Sequence, residues 1–299
     1  MADVSLTNSD IQIIADEITS AGIPNILPIR SFAKNLNAPG TVQNDVVKVG
    51  VYAAHPDATA WNASSNNYET GDSVSVTFVD VTLSSRKKTT ISIPDQDVGR
   101  VNIAEMAKNA LNGLTKQFME DTMALILTAA YGSPAFTGVA STFDSDDVSD
   151  LWSAAETANY GENRSLVIGT SYITNLLKDN DLKNYLNSNT DTVLKQAMLP
   201  NINGFDIIHS KIIPGNAENL VGFITDTNGI AVATSAVAPA YSTNEVSYIP
   251  IIDPESGLEI GTRFQYDKAA GAWKWTFELV YGASVADATK LDRLISAAP

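Results

Sequence analysis

Val46, Val47, Val49 and Val51 open a β-branched stretch that predicts a strand. His55 to Asp72 is polar and carries Pro56, Trp61, Asn62 and Gly71, which suits a loop. Apolar positions then return, with alternation clearest from Val74 to Phe78. Val81, Leu83 and Thr89 to Ile93 carry the run to Pro94. A period of two places successive side chains on opposite faces of a strand. Val46 to Ile93 therefore reads as a long hairpin arm. Two isolated strands are marginal in water, so the arm is expected to lie on another surface.

The period changes after Val98. Ile103, Ala107, Leu111, Leu114, Phe118, Leu125 and Ala129 recur at helical steps. They predict one amphipathic helix from Val98 to Tyr131, roughly 50 Å long. Asp95 or Asp97 is placed to favour its N-terminus, and Gly132-Ser133-Pro134 stops it. A shorter helix is expected over Ile11, Ile14, Ala15 and Ile18, ended by Gly22 and Pro24. Between Ile23 and Asn44, Pro24, Pro28, Pro39 and Gly40 predict an extended segment. Its apolar residues, Ile26, Leu27, Ile29 and Phe32, are too few for a core of their own. Such a segment either packs along its own body or straps over a neighbour.

The rest reads as a mixed α/β body. Short helices are expected at Trp152 to Tyr160, Ser171 to Asp179 and Asp191 to Leu199. Strands are expected at Ser165 to Ile168, Phe205 to His209, Leu220 to Thr225 and Ile230 to Thr234. Val246 to Ile252, Glu259 to Tyr266 and Trp273 to Tyr281 predict closing antiparallel strands, with Lys268-Ala269-Ala270-Gly271 as a turn.

Of the 299 residues, 44% are hydrophobic, enough for a real core, and 18% are charged, below the roughly 25% of an average soluble domain. Much of the polar surface is therefore Asn, Ser and Thr, which suits faces that end against other subunits. The net charge of -15 argues against a dedicated nucleic-acid binder, which needs clustered Lys and Arg. The basic cluster Arg86-Lys87-Lys88 reads as a solvated or salt-bridging strand edge. The absence of cysteine excludes disulfides and thiolate chemistry. Met1 to Asp10 is polar and acidic, unlike a secretory leader, and no run of about 18 apolar residues occurs. An aqueous, cytoplasmic setting is expected, with no membrane contact.

Catalytic constellations are not found. His55 and His209 lie far apart in sequence and outside any H-E-x-x-H pattern. His209 follows Ile207-Ile208 and reads as a strand-end residue. Asp144, Asp146, Asp147 and Asp150 resemble a calcium loop only loosely. Ser149 stands where such a loop needs Gly, and Ala155 where it needs Glu. The run is expected to be a solvated loop that caps the Trp152 helix. Trp273 and Trp275 share a strand face and are expected in the core rather than on a sugar-stacking platform. No catalytic, cofactor-binding or metal residue is assigned, and no cofactor is expected.

The order of parts resembles the major capsid protein family of tailed bacteriophages, with the Hong Kong 97 type coat fold. Asn203-Gly204-Phe205-Asp206-Ile207-Ile208, followed by Ile213-Pro214, is similar to a short strand late in that family's axial domain. Phe277-Glu278-Leu279-Val280-Tyr281-Gly282-Ala283 resembles its terminal strand and Tyr-Gly turn. The resemblance implies an α+β coat fold. Its parts would be an N-terminal arm over 1–45, an extended β-hairpin loop over 46–96 and a spine helix with the first part of the peripheral domain over 97–163. An axial domain over 164–239 and the rest of the peripheral domain over 240–299 would complete it.

The resemblance also implies hexamers and pentamers closing into an icosahedral shell around packaged double-stranded DNA, without sequence-specific binding. The location would be the virion capsid, after assembly in the host cytoplasm. Further copies of the chain are the expected partners, with scaffolding, portal and decoration proteins as candidates beside them. No charged, scaffold-like segment precedes residue 1, so scaffolding is expected from a separate protein or a cleaved extension. Ile26, Phe32, Trp61, Tyr68, Arg86, Lys87 and Lys88 are the candidate inter-subunit contacts. Two other readings stand beside this one. An encapsulin-like bacterial nanocompartment shares the fold. A secreted hydrolase or carbohydrate-binding protein would be a different class, against which the missing leader and catalytic constellation count.

Overall fold

The computed structural model describes residues 29–52, 76–97, 102–126, 133–180, 182, 201–237, 246–252 and 257–297. The helix expected over 11–18, the polar tip of the hairpin and the helix expected over 191–199 lie outside them. The described chain begins with a short helix α1 (Ile29–Phe32), followed by β1 (Lys34–Asn37), β2 (Val46–Tyr52), β3 (Val76–Thr82) and β4 (Ser85–Pro94). Next come α2 (Ile103–Met123), β5 (Phe136–Gly138), α3 (Ser145–Thr157), β6 (Arg164–Gly169) and α4 (Thr170–Leu176). Among the described residues there follow β7 (Phe205–Ser210), β8 (Leu220–Asp226), β9 (Ile230–Ser235), β10 (Val246–Ile252), β11 (Glu259–Asp267), β12 (Ala272–Val285) and β13 (Leu291–Ser296), with a short 3-10 helix (Ala288–Lys290) before the last strand. This is the expected α+β composition.

Fourteen-residue β12 organises the larger sheet. Along one side it pairs with β4 from Ala272 to Tyr281. Along the other it pairs first with β11 and then with β9. β1 extends this sheet in parallel beyond β9, and β10 closes it beyond β11. The helix α2 covers one face. Ala107, Leu111, Leu114 and Phe118 are each at most 2% exposed. They share a core with Ile91, Ile93, Trp275, Phe277 and Leu279 of the sheet. Phe118 meets Tyr281 edge-on, with ring centroids 5.0 Å apart. Trp275 is buried in this core and Trp273 stacks on Phe264 at 4.9 Å, so both tryptophans pack as expected.

The spine helix is shorter than its hydrophobic pattern suggests. Its 21 residues make it about 31 Å long. Asn102, not Asp95 or Asp97, is the N-cap, and its side chain accepts from the Glu105 amide at 3.3 Å. Asp95 instead accepts from the Tyr266 hydroxyl at 2.6 Å. At the other end, Ala124 is the C-cap, and the Asn216 side chain donates to the carbonyls of Met123 and Ile126. A distant asparagine thus satisfies carbonyls that a continuing helix would have bonded internally.

The hairpin differs from its expected form in an instructive way. β2 and β3 pair antiparallel from Val46↔Thr82 to Tyr52↔Val76. The chain then turns at Leu83-Ser84, and β4 enters the large sheet instead of prolonging the hairpin. Val47, Val49, Val51, Val81 and Leu83 are all at most 8% exposed. Most of them pack on Ala231, Ala233 and Val280 of the chain's own body. The surface on which the root of the arm lies is therefore the chain's own body. Gly282 explains how closely the root sits: a Cβ there would overlap the Thr82 carbonyl. Tyr281-Gly282 is accordingly no turn but the middle of β12, and β12 is not the terminal strand.

A second sheet runs in the order β5-β13-β8-β6-β7. α3 and α4 supply Leu151, Tyr172 and Leu176 to its core, beside Phe143, Leu166, Phe205, Ile224 and Leu294. The sheets do not divide at residue 239. β9, expected in the axial part, lies in the larger sheet, and C-terminal β13 lies between β5 and β8 in the smaller one. α3 begins well before Trp152, because Asp144 caps it. The Asp144 side chain accepts from the amides of Asp146 and Asp147, and Asp147 returns the bond to the Asp144 amide. This capping box gives the acidic run a structural role. Asp144→Ala is expected to cost about 1 kcal/mol of stability. The check is the midpoint of urea unfolding, with the slope unchanged; a midpoint like that of the parent chain would contradict the role.

Candidate interaction surface at the hairpin root

The three basic residues of β4 are divided by the pleat of the strand. Lys87 points to the α2 side, where its Nζ lies 3.9 Å from Asp121. Arg86 and Lys88 point to the opposite face, the one on which the hairpin root is seated. There Arg86 Nε pairs with Glu278 Oε1, and Arg263 Nη2 lies 3.3 Å from Glu278 Oε2. Glu278 is only 5% exposed. The result is a charge ladder across three strands: Arg86 on β4, Glu278 on β12 and Arg263 on β11. Arg263 also donates to the Val237 carbonyl at 3.3 Å. Lys88, directly opposite Glu278 in the register, is exposed and has no ion-pair partner among the described residues. These side chains, with Gln265 and Thr276, line a cavity of about 420 Å³.

The expected strand-edge character of Arg86-Lys87-Lys88 is thus observed, with β4 as an edge of the large sheet. Charges on such an edge discourage uncontrolled strand addition. Arg263 was not singled out from the sequence. Its alternation within β11 was readable, but its alignment with Glu278 needs the register of three strands.

The other candidate contacts fare differently. Phe32 is fully buried in its own subunit, edge-on to Phe223 at 5.9 Å, so it offers no surface to a neighbour. The described part of the arm, from Ile29 onward, packs along its own body: β1 pairs with β9, and Lys34 donates to the Gly50 carbonyl of β2. Ile26, Trp61 and Tyr68 lie outside the described residues. The outer face of the hairpin carries exposed apolar residues, with Phe78 63% and Val46 54% exposed.

Chemistry elsewhere is sparse. His209 sits at the end of β7, where its Nε2 is 2.8 Å from the Thr170 hydroxyl. Burial, then the charge of Lys211, lowers its pKa from the ordinary histidine value. Burial and the bond to Asp121 raise the Tyr281 phenol. Among the described residues, no three His, Asp or Glu side chains gather to hold a metal. No helix among them is long and apolar enough to cross a membrane.

A large sheet backed by one spine helix, a hairpin seated on its far face and a smaller second sheet together make the fold of phage capsid chains. The chain aligns with the capsid of cyanophage P-SCSP1u over 89% of each chain, with a TM-score of 0.57 and 13% identity. It aligns with a chain of Mycobacterium phage Che8 over 85% of each, at 0.52 and 16%. A virus-like particle from Pyrococcus furiosus matches 96% of this chain and 98% of its own, at 0.51 and 13%. No protein-family model and no curated protein matches the sequence. The resemblance to the Hong Kong 97 type coat fold therefore holds at the level of fold.

Proposed function

We propose that this chain is a major capsid protein, assembling into hexamers and pentamers of an icosahedral shell that encloses packaged double-stranded DNA. The observation that carries the reading is the hairpin. Its root is fastened to the body by buried valines, while its outer face leaves Phe78 and Val46 open to solvent. An arm with one face fixed and one apolar face uncovered suits contact with another copy. The fold shared with phage capsid chains supports the same conclusion. The role is structural and non-enzymatic, and the location is the virion capsid after assembly in the host cytoplasm. Scaffolding, portal and decoration proteins belong to the same proposal.

Electron microscopy of the chain expressed alone tests this reading. Closed shells, sheets or tubes of capsomers are expected. Deleting Ala54 to Asp72 is expected to leave a folded body, by circular dichroism, that no longer closes shells. Normal particles from that deletion would sink the role given to the loop. A second reading is a nanocompartment shell, since the fold is shared with a virus-like particle from Pyrococcus furiosus as well as with phage capsids. Shells that co-purify with an enzyme from the native host would select it.

A further inference from the structure

We propose that the cavity lined by Arg86, Lys88, Arg263, Gln265, Thr276 and Glu278 is a docking site for carboxylate side chains of a second copy of this chain. The inference rests on the coat-subunit reading and names the chemistry of one of its contacts. Three cations face one carboxylate, so the cavity keeps two positive charges in excess. Glu278 cannot serve an incoming cation, because both its oxygens already face guanidinium groups and it is almost wholly buried. Those same bonds hold Arg86 and Arg263 in place, so little side-chain freedom is lost when a ligand arrives. The side chain of Arg86 remains 42% exposed, and Lys88 is exposed beside it. A guanidinium fork with an adjacent ammonium suits a carboxylate, which takes paired N–H donors.

Charge complementarity selects the occupant. The chain carries 34 acidic and 19 basic residues, so the net charges of two copies repel. A cationic hollow in so acidic a molecule is a place where contact with another copy lowers repulsion. It also fixes register, since misplaced contacts would set like charges together. The same acidity opposes approach of a nucleic-acid backbone. The lining is charged and polar, which disfavours an apolar ligand, and about 420 Å³ admits an acidic side chain.

The test compares Lys88→Glu with Lys211→Glu in the full chain. Both lysines are exposed, and both variants change the net charge equally. Lys211 follows β7 of the smaller sheet, away from the cavity. Light scattering would give the concentration at which each protein is half assembled, and thermal unfolding would check that both remain folded. Lys88→Glu is expected to raise that concentration roughly tenfold or more. Lys211→Glu is expected to track the parent chain, with unfolding temperatures alike. Equal assembly of the two variants would overturn the docking site while leaving the coat-subunit reading intact. Inorganic phosphate binding that depends on Lys88, with assembly unaffected, would make the cavity a small-anion site and also overturn the proposal. A parent chain that stays monomeric at every concentration, alone and when co-expressed with the scaffolding protein of its native host, would overturn both.

Discussion

Leu114→Asp is expected to leave no folded subunit at room temperature. Leu114 is 2% exposed and lies on the α2 stripe between Leu111 and Phe118, against the large sheet. Removing a buried leucine side chain costs roughly 2–5 kcal/mol through lost transfer energy and the cavity left behind. Placing a carboxylate there adds a desolvation cost of several kcal/mol, since no cation of the core cluster can pair with it. The sum is comparable to the whole stability of an ordinary domain, about 5–15 kcal/mol. Asn109→Asp, on the exposed side of the same helix, is expected to change stability by less than about 0.5 kcal/mol. Circular dichroism and urea titration of both variants would check the contrast. A folded, assembling Leu114→Asp chain would contradict the buried-spine assignment.

Arg293→Ala is expected to be nearly as severe. The Arg293 side chain is fully buried in β13 and paired with Glu218, whose side chain is 11% exposed. Breaking a buried ion pair from one side strands the other charge and costs roughly 3–5 kcal/mol. β13 lies between β5 and β8, so the smaller sheet would loosen at its β5 side. Replacing both partners, as Arg293→Met with Glu218→Gln, removes the stranded charge and should recover much of the loss. Equilibrium unfolding of the single and double variants measures this directly. A double variant no more stable than Arg293→Ala would mean that the arginine matters for more than its charge.

These two residues also show how differently the chain discloses itself. Leu114 is legible from sequence, because Ile103, Ala107, Leu111, Leu114 and Phe118 recur at helical spacing and so share one face of α2. Arg293 is not. A charged residue within Leu291-Asp292-Arg293-Leu294-Ile295-Ser296 breaks the alternation that marks a strand, and Glu218, its partner, is 75 residues away. β1, Lys-Asn-Leu-Asn, was missed for a related reason: it is held by parallel backbone pairing to β9, which leaves no side-chain pattern to read.

Local periodicity alone determined the strands from β6 to β12, the spine helix, the hairpin and the placing of Trp275 in a core. Each depends on the repeat of side chains along one element, and the chain writes that repeat within a few residues. Tertiary structure decided where those elements stop and what they meet. Asn102 and the distant Asn216 bound the spine helix. The turn at Leu83-Ser84 diverts β4 from the hairpin into the main sheet. Gly282 lets the hairpin root settle on β12. The candidate surface belongs to this second kind, since Arg86, Glu278 and Arg263 come together only through the register of three strands. Register is fixed by pairing energies and turns far apart in the sequence, and no window of neighbouring residues contains them.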